Sequence, residues 1–350
     1  MGRDSFQIKL IKKNIVHNFN YIKGSTKKDI IAVVKVNAYG HGLREVVPIL
    51  ADSGCLYFAV ARECEALEIL SLNIPQVKIL IFETIEDFSL LKNFKNLEMV
   101  VNSLEELKEL INSGIDFSQL HLKFDFGFAR NGFSQDEIEA IKTLIIENNL
   151  YFQGAMTHFF SSNEEETIEI QRKFIESIEY IGRERFNIIH SQNSAATLLG
   201  LGEGSTHVRC GISLLGMLDP GITNDNIKRS WSLCGPICDI KDFSKLDFIG
   251  YERIESIPTE NFHRVAKIKI GYGDGFSKRN TNILCHINNK EYPIVHISMD
   301  TSFVLVDNSA EVGDIVEIYQ NFEKCNAFLK MDHYEYTTLL NSRIPRIVLK

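Results

Sequence analysis

Through roughly the first two-thirds of the chain, short runs of β-branched and aromatic residues alternate with stretches of helical period. The runs at 30–37, 56–61, 77–83, 97–102, 119–125, 152–159, 187–194 and 207–213 predict strands. Between them lie segments such as SLEELKELINSG at 103–114. There Leu104, Leu107, Leu110 and Ile111 share one helical face, and Gly114 supplies a stop. Eight strands separated by helices predict a closed (β/α)8 TIM barrel. An open doubly wound sheet would use similar units, but no Gly-x-Gly-x-x-Gly turn follows the first strand. The segment NLYFQG at 149–154 resembles a protease site added by engineering, yet it runs directly into AMTHFF and reads as native.

The pattern changes after about residue 225, where strand-like runs and turn residues dominate: GPICDI, VAKIKIGYG, CHINNKEYPIVHI, SFVLVD and DIVEIY. INNKEY reads as a hairpin, because Asn288-Asn289 suits positive φ. The expected division is therefore a barrel over 1–225 and a mostly β domain over 226–350, the first residues being free to pack with the second domain. No internal repeat or low-complexity linker interrupts either part.

Composition narrows the function. Of the 350 residues, 44% are hydrophobic and 24% charged, as in ordinary globular enzymes. The net charge of −8 argues against nucleic acid or an anionic membrane as the main partner. Residues 1–10 lack the apolar run of a signal peptide, and no stretch is long and apolar enough to span a membrane. The seven cysteines form no Cys-x-x-Cys pair, and Cys234 and Cys238 have no histidine at ligand spacing. Buried free thiols, no metal and a reducing cytoplasm are expected.

In such a barrel, reactive groups gather at the C-terminal ends of the strands. The first strand delivers Lys35, the fifth Asp125, the sixth His158, the seventh Asn193-Ser194, and the eighth Arg209 with Gly211. A lysine in a buried apolar strand is costly unless paired or neutral, and a neutral amine suits Schiff-base formation with a carbonyl. Taken singly, these residues have plainer readings. Lys35 could reach solvent, His158 could be structural, Asn193-Ser194 could cap a helix, and Arg209 could pair with any rim carboxylate. Their shared rim is what favours chemistry.

VVKVNAYGHG at 33–42 resembles the cofactor-lysine motif of the alanine racemases. HLKFDFGFARNGF, GAMTHF, HSQNSAA, VRCGISLLG, IGYGDGF, SMD and YEYTTLLNSRIPR resemble further segments of that family in the same order, from about residue 6 to the C-terminus. The resemblance implies a pyridoxal 5'-phosphate enzyme acting on an amino acid, a homodimer whose β domain completes the partner's site, and D-alanine supply for cell-wall peptidoglycan. It implies that Lys35 holds the cofactor covalently. Tyr39, Ser194, Tyr334 and the backbone N–H groups of Gly211 and Ile212 would bind the phosphate, with Asn193 beside them. Arg209 would face the pyridine nitrogen and His158 would lie along the ring. Arg130 would engage the phenol oxygen and the substrate carboxylate, and Met299 the substrate. Lys35 and Tyr272 would be the two acid/base groups, one on each face. Lys123 matches a lysine that is often carbamylated; the alternative is an ordinary lysine neutralised by Asp125.

Several positions depart from the family pattern, including Val36, Phe126, Phe128, Cys210, Leu215, Gly273, Phe276 and the residues before Met299. None removes an implied acid, base or phosphate ligand. A serine or broad-specificity racemase on the same scaffold, or a non-catalytic cofactor-binding barrel, are the competing readings. The second of these would lack the β domain and Tyr272.

Overall fold

The structure is a computed structural model that describes residues 5–160, 163–253 and 262–350. The chain divides into two compact units. One comprises Asn14–Tyr39 with Val46–Arg229; the other comprises the chain through Lys13, Gly40–Glu45 and Ser230–Lys350.

The first unit is built on eight parallel strands: β1 Asp29–Val33, β2 Tyr57–Val60, β3 Lys78–Ile81, β4 Leu97–Val101, β5 Leu120–Lys123, β6 Phe152–Met156, β7 Phe186–His190 and β8 His207–Cys210. Each strand pairs with the next from β1 to β7, and β1 also pairs with β8. Hydrogen bonds from Thr206 N to Ile189 O (2.8 Å) and from Arg209 N to Gln192 O (3.0 Å) join the two ends into a barrel. Ile31, Val33, Ala59, Leu80, Val100, Met156 and Ile188 form a packed cluster within it. The strands are buried on both faces, which is why their sequences read as apolar runs rather than alternations. The helix after β4 spans Leu104–Ser113, capped by the Ser103 hydroxyl and closed by Gly114 at φ 70°. Residues 152–154 of the protease-like segment lie in β6, as part of the barrel wall.

In the second unit, Trp231–Asp242 is the organising strand. It pairs with Ile315–Ile318 through its first half and with Arg264–Ile268 through its second, with a register shift between Ile237 and Asp239. Strands Ser302–Val306, Lys290–Ile297 and Leu284–Ile287 close the antiparallel ring, while Gln7–Ile11 and Arg346–Leu349 extend one edge. The hairpin turn falls where predicted, with Asn288 at φ 50° and Asn289 at φ 66°.

The first strand is shorter than its apolar run predicts. It stops at Val33, and Lys35–Tyr39 forms a separate helical turn. Lys35 therefore lies just past a strand, not inside one.

Candidate active site

After β1, Val34 N donates to Ala59 O, and the chain then turns left-handed. Val36, Asn37, Ala38 and Tyr39 all have φ of 52–53°. Such a turn costs L-residues about 1–2 kcal/mol each, most acutely at the β-branched Val36. Two observations account for its persistence. Ala38 N donates to Val34 O at 2.8 Å. The Glu65 carboxylate gathers the N–H groups of Val36, Ala61 and Arg62, stapling the turn to the loop after β2.

This backbone presents Lys35. Among the described residues its amine makes no hydrogen bond or ion pair. Burial, reinforced by the Arg130 charge, draws its pKa below the ordinary lysine value against the opposing pull of Glu65 and Glu83. A nucleophilic amine follows from that balance.

β5 brings in Lys123, whose Nζ donates to Asn131 Oδ1 at 2.8 Å. Burial and then Arg130 bring this amine down to about 8. Asp125 spends its carboxylate on the backbone N–H groups of Gly127, Phe128 and Arg130, so it builds the loop and makes no direct ion pair with Lys123. The Arg130 guanidinium lies 4.4 Å from the centroid of the Phe128 ring, and Phe128 in turn packs on His158 and Phe160. An aromatic face holds a guanidinium without occupying its in-plane donors, which stay available to a carboxylate.

His158 follows β6. Burial first, then the charges of Arg209, Arg130, Lys35 and Lys123, lower its pKa to about 3, so its ring is neutral. After β7, the Asn193 Oδ1 caps helix Ser194–Leu198 through Ala196 N, and its Nδ2 reaches Phe159 O. Its side chain is thus engaged in aiming Ser194. The Ser194 hydroxyl accepts from Gly211 N at 3.2 Å and from the Ser213 hydroxyl at 3.1 Å. The Ile212 N–H has no acceptor among the described residues. A Cβ at Gly211 would strike the Tyr39 ring and hydroxyl, so only glycine allows that close approach.

Arg209, in β8, is 4% exposed. Its two terminal nitrogens donate to His190 Nδ1, His190 O, Thr157 O and Ser191 O. With four of five N–H groups engaged, Nε–H is the donor left over. Lys35, Tyr39, Lys123, Arg130, His158, Ser194, Arg209, Gly211 and Ile212 thus all lie on one unit, at or just beyond the C-terminal ends of its strands. A free amine, unengaged N–H donors and a hydroxyl cradle suit a carbonyl compound bearing a phosphate, the chemistry of pyridoxal phosphate.

In the second unit, Tyr272 and Met299 occupy neighbouring turns. Tyr272 N donates to Ser298 O at 3.0 Å, and Gly273 N to Met299 O at 2.8 Å. Ser298 N closes on Thr301 O, which gives the Met299 loop a defined turn despite its unusual sequence. Lys278 places its ammonium 5.4 Å from the centroid of the Tyr272 ring. Tyr334, on helix His333–Leu339, donates its hydroxyl to Asp332 at 2.6 Å. Glu65, Asn131 and Lys278 escape sequence reasoning, since each acts through a contact that no local pattern announces.

Residues 12–219 match the family described as alanine racemase, N-terminal domain, and residues 231–348 match alanine racemase, C-terminal domain. The chain is 32% identical to the alanine racemase of Aquifex pyrophilus, over 98% of each chain. The crystal structure of alanine racemase from Bacillus anthracis with bound L-Ala-P superposes with a TM-score of 0.85 at 25% identity, covering 100% of this chain and 96% of that one. The alanine racemase from Bartonella henselae with covalently bound pyridoxal phosphate gives 0.83 at 22% identity, over 99% of each. This chain belongs to the alanine racemase family.

Proposed function

We propose that this protein interconverts L- and D-alanine with pyridoxal 5'-phosphate held on Lys35, and that two such chains pair so that each β unit completes the other's site. The observation that carries this reading is the rim of the barrel. A free lysine of lowered pKa, a neutral histidine, a buried arginine with one unengaged donor and a hydroxyl–amide cradle stand on one scaffold, and the chain's relatives are named alanine racemases.

Bound pyridoxal phosphate supplies an electron sink that acidifies the Cα–H of an amino acid joined to it. The chain's own residues do the rest. Ser194, Tyr39, Tyr334 and the amides of Gly211 and Ile212 fix the phosphate, with Asn193 holding Ser194 in place. Arg209 would offer its remaining N–H to the pyridine nitrogen, and His158 would hold the ring from the side. Arg130, backed by Phe128, orients the substrate carboxylate, and Met299 bounds the substrate. The Lys35 amine, once the substrate amine has displaced it, would move the Cα proton on one face and the partner's copy of the Tyr272 phenol would move it on the other, so a proton removed from one side returns on the opposite side. The seven free cysteines fit a reducing cytoplasm, and D-alanine for peptidoglycan is the role this activity serves.

Lys123, with its amine drawn down to about 8, carries enough neutral form to react with carbon dioxide. On this reading it becomes a carbamate that steadies Arg130. Labelled bicarbonate should yield a carbamate carbon signal that Lys123→Ala removes; clear density for an unmodified amine would refute it. The function itself is tested by the visible band of the purified holoenzyme together with L- to D-alanine conversion, run beside L-serine. Alanine turnover above serine is expected. A cofactor band with serine preferred would overturn the substrate, and a band with no racemisation of any amino acid would overturn the catalytic reading.

A further inference from the structure

Inside the barrel, below Arg209, runs a line of polar side chains that the reaction does not use directly. His190 Nδ1 lies 3.0 Å from Arg209, and His190 Nε2 lies 2.9 Å from His121 Nδ1. His121 Nε2 lies 2.9 Å from the Glu98 carboxylate, which also accepts from the Tyr57 hydroxyl. Lys78 approaches the other oxygen of Glu98 at 3.5 Å. Glu98, His121, His190 and Arg209 are all buried, on β4, β5, β7 and β8.

An arginine can only donate. His190 Nδ1 must therefore accept, so the proton of its neutral ring sits on Nε2 and is given to His121 Nδ1. His121 then carries its proton on Nε2 and gives it to Glu98. A doubly protonated His121 would force a proton onto His190 Nδ1, facing the Arg209 donor. Every link thus points one way, from the cation to the carboxylate.

The barrel is built around this line. A Cβ at position 154 on β6 would collide with His121 Nδ1, so glycine there is what lets His121 reach across to β7. Burial foremost, then the Arg209 charge, keeps the pKa of His190 well below the usual histidine value, consistent with a neutral ring. Burial alone would raise the Glu98 pKa, but the His121 and Tyr57 hydrogen bonds and Lys78 hold it below its ordinary value. A buried network in which every member is satisfied is rigid, and its charges are felt along it.

We propose that Glu98, acting through His121 and His190, is a positioning residue that orients Arg209 and sets the strength of its remaining N–H donor. The functional part of this inference rests on Arg209 facing the cofactor; the line of fixed tautomers does not.

The test uses 15N-histidine-labelled holoenzyme, with signals assigned by single His→Gln variants. His121 and His190 should each carry a proton on Nε2 alone, and His190 should keep it there across the neutral pH range. Glu98→Gln keeps the shape and removes the charge. It should move the His190 signals, although the two residues do not touch, and shift the visible band of bound pyridoxal phosphate. It should also lower kcat about tenfold with the alanine KM unchanged, the scale on which outer partners matter in metal sites. The band shift should vanish in an Arg209→Lys background. Protonation of His190 at Nδ1, titration of the His190 ring near neutral pH, or a Glu98→Gln effect confined to His121 would overturn the proposal. If Arg209→Lys alone leaves the band unmoved, the placement of Arg209 at the cofactor fails, while the histidine signals still decide the relay. Should Glu98→Gln not fold, Tyr57→Phe must move the His190 signals in the same direction by less; no movement overturns the relay.

Discussion

On the barrel rim, Arg209 and Lys123 are buried, at 4% and 6% exposed, and hydrogen-bonded in place, Lys35 and His158 are half-buried, and Arg130 stands exposed on the Phe128 ring. In the β unit, Tyr272 is 42% and Met299 53% exposed, and what is fixed is the backbone beneath them. Burial does the chemical tuning in the first case, by changing the acid–base character of lysine and histidine. In the second, a rigid turn holds out side chains whose own unit leaves them open. That is the form expected of groups that finish a site elsewhere, and it matches the proposed sharing of sites between two copies.

Removing the tuned amine should have the largest effect. Lys35→Ala should abolish the visible band of bound cofactor and cut racemisation by about 10³-fold or more. Spectra and alanine turnover check both, and survival of either would show that the rim is not the reactive centre. Phe128→Leu takes away the face under Arg130 while keeping an apolar side chain. The alanine KM should rise ~2–5-fold with kcat little changed, as expected for an exposed cation–π contact; an unchanged KM would leave Phe128 as packing alone.

The smallest effect concerns stability. The Lys123 amine has a folded pKa of about 8 against 10.5 for a free lysine. Between these values the unfolded chain binds the extra proton, so the contribution of this group to stability rises with pH through that window. If Lys123 is an unmodified amine, denaturant melts of Lys123→Met should show a flatter profile than the wild type from about pH 8 to 10.5; as a carbamate it should show no such difference. If the wild type already lacks the rise, Lys123 is not a simple amine, which would favour the carbamate.

Much of this was legible in the sequence. The strand at 97–102 is β4 at Leu97–Val101, the helix with its Gly114 stop sits where its period places it, and the Asn288-Asn289 turn has the expected φ. Rim residues were legible because a barrel strand's C-terminal end is a fixed address. The left-handed turn at Lys35–Tyr39 was not, since VVKVNA carries the apolar signature of a strand and no glycine marks the change. Nor was the Glu98–His121–His190 line. When a strand is buried on both faces, period-2 alternation no longer tells which side chains point inward, and the partners lie 23 and 69 residues apart.

On the proposed reading the barrel amine and the exposed tyrosine serve opposite faces of one substrate, and Tyr272→Phe separates the two faces. Exchange of the alanine Cα hydrogen in deuterated water should be followed separately from the two enantiomers. Release from L-alanine should fall by about 10²–10³-fold while release from D-alanine, assigned to Lys35, persists. Undiminished exchange from both would contradict it.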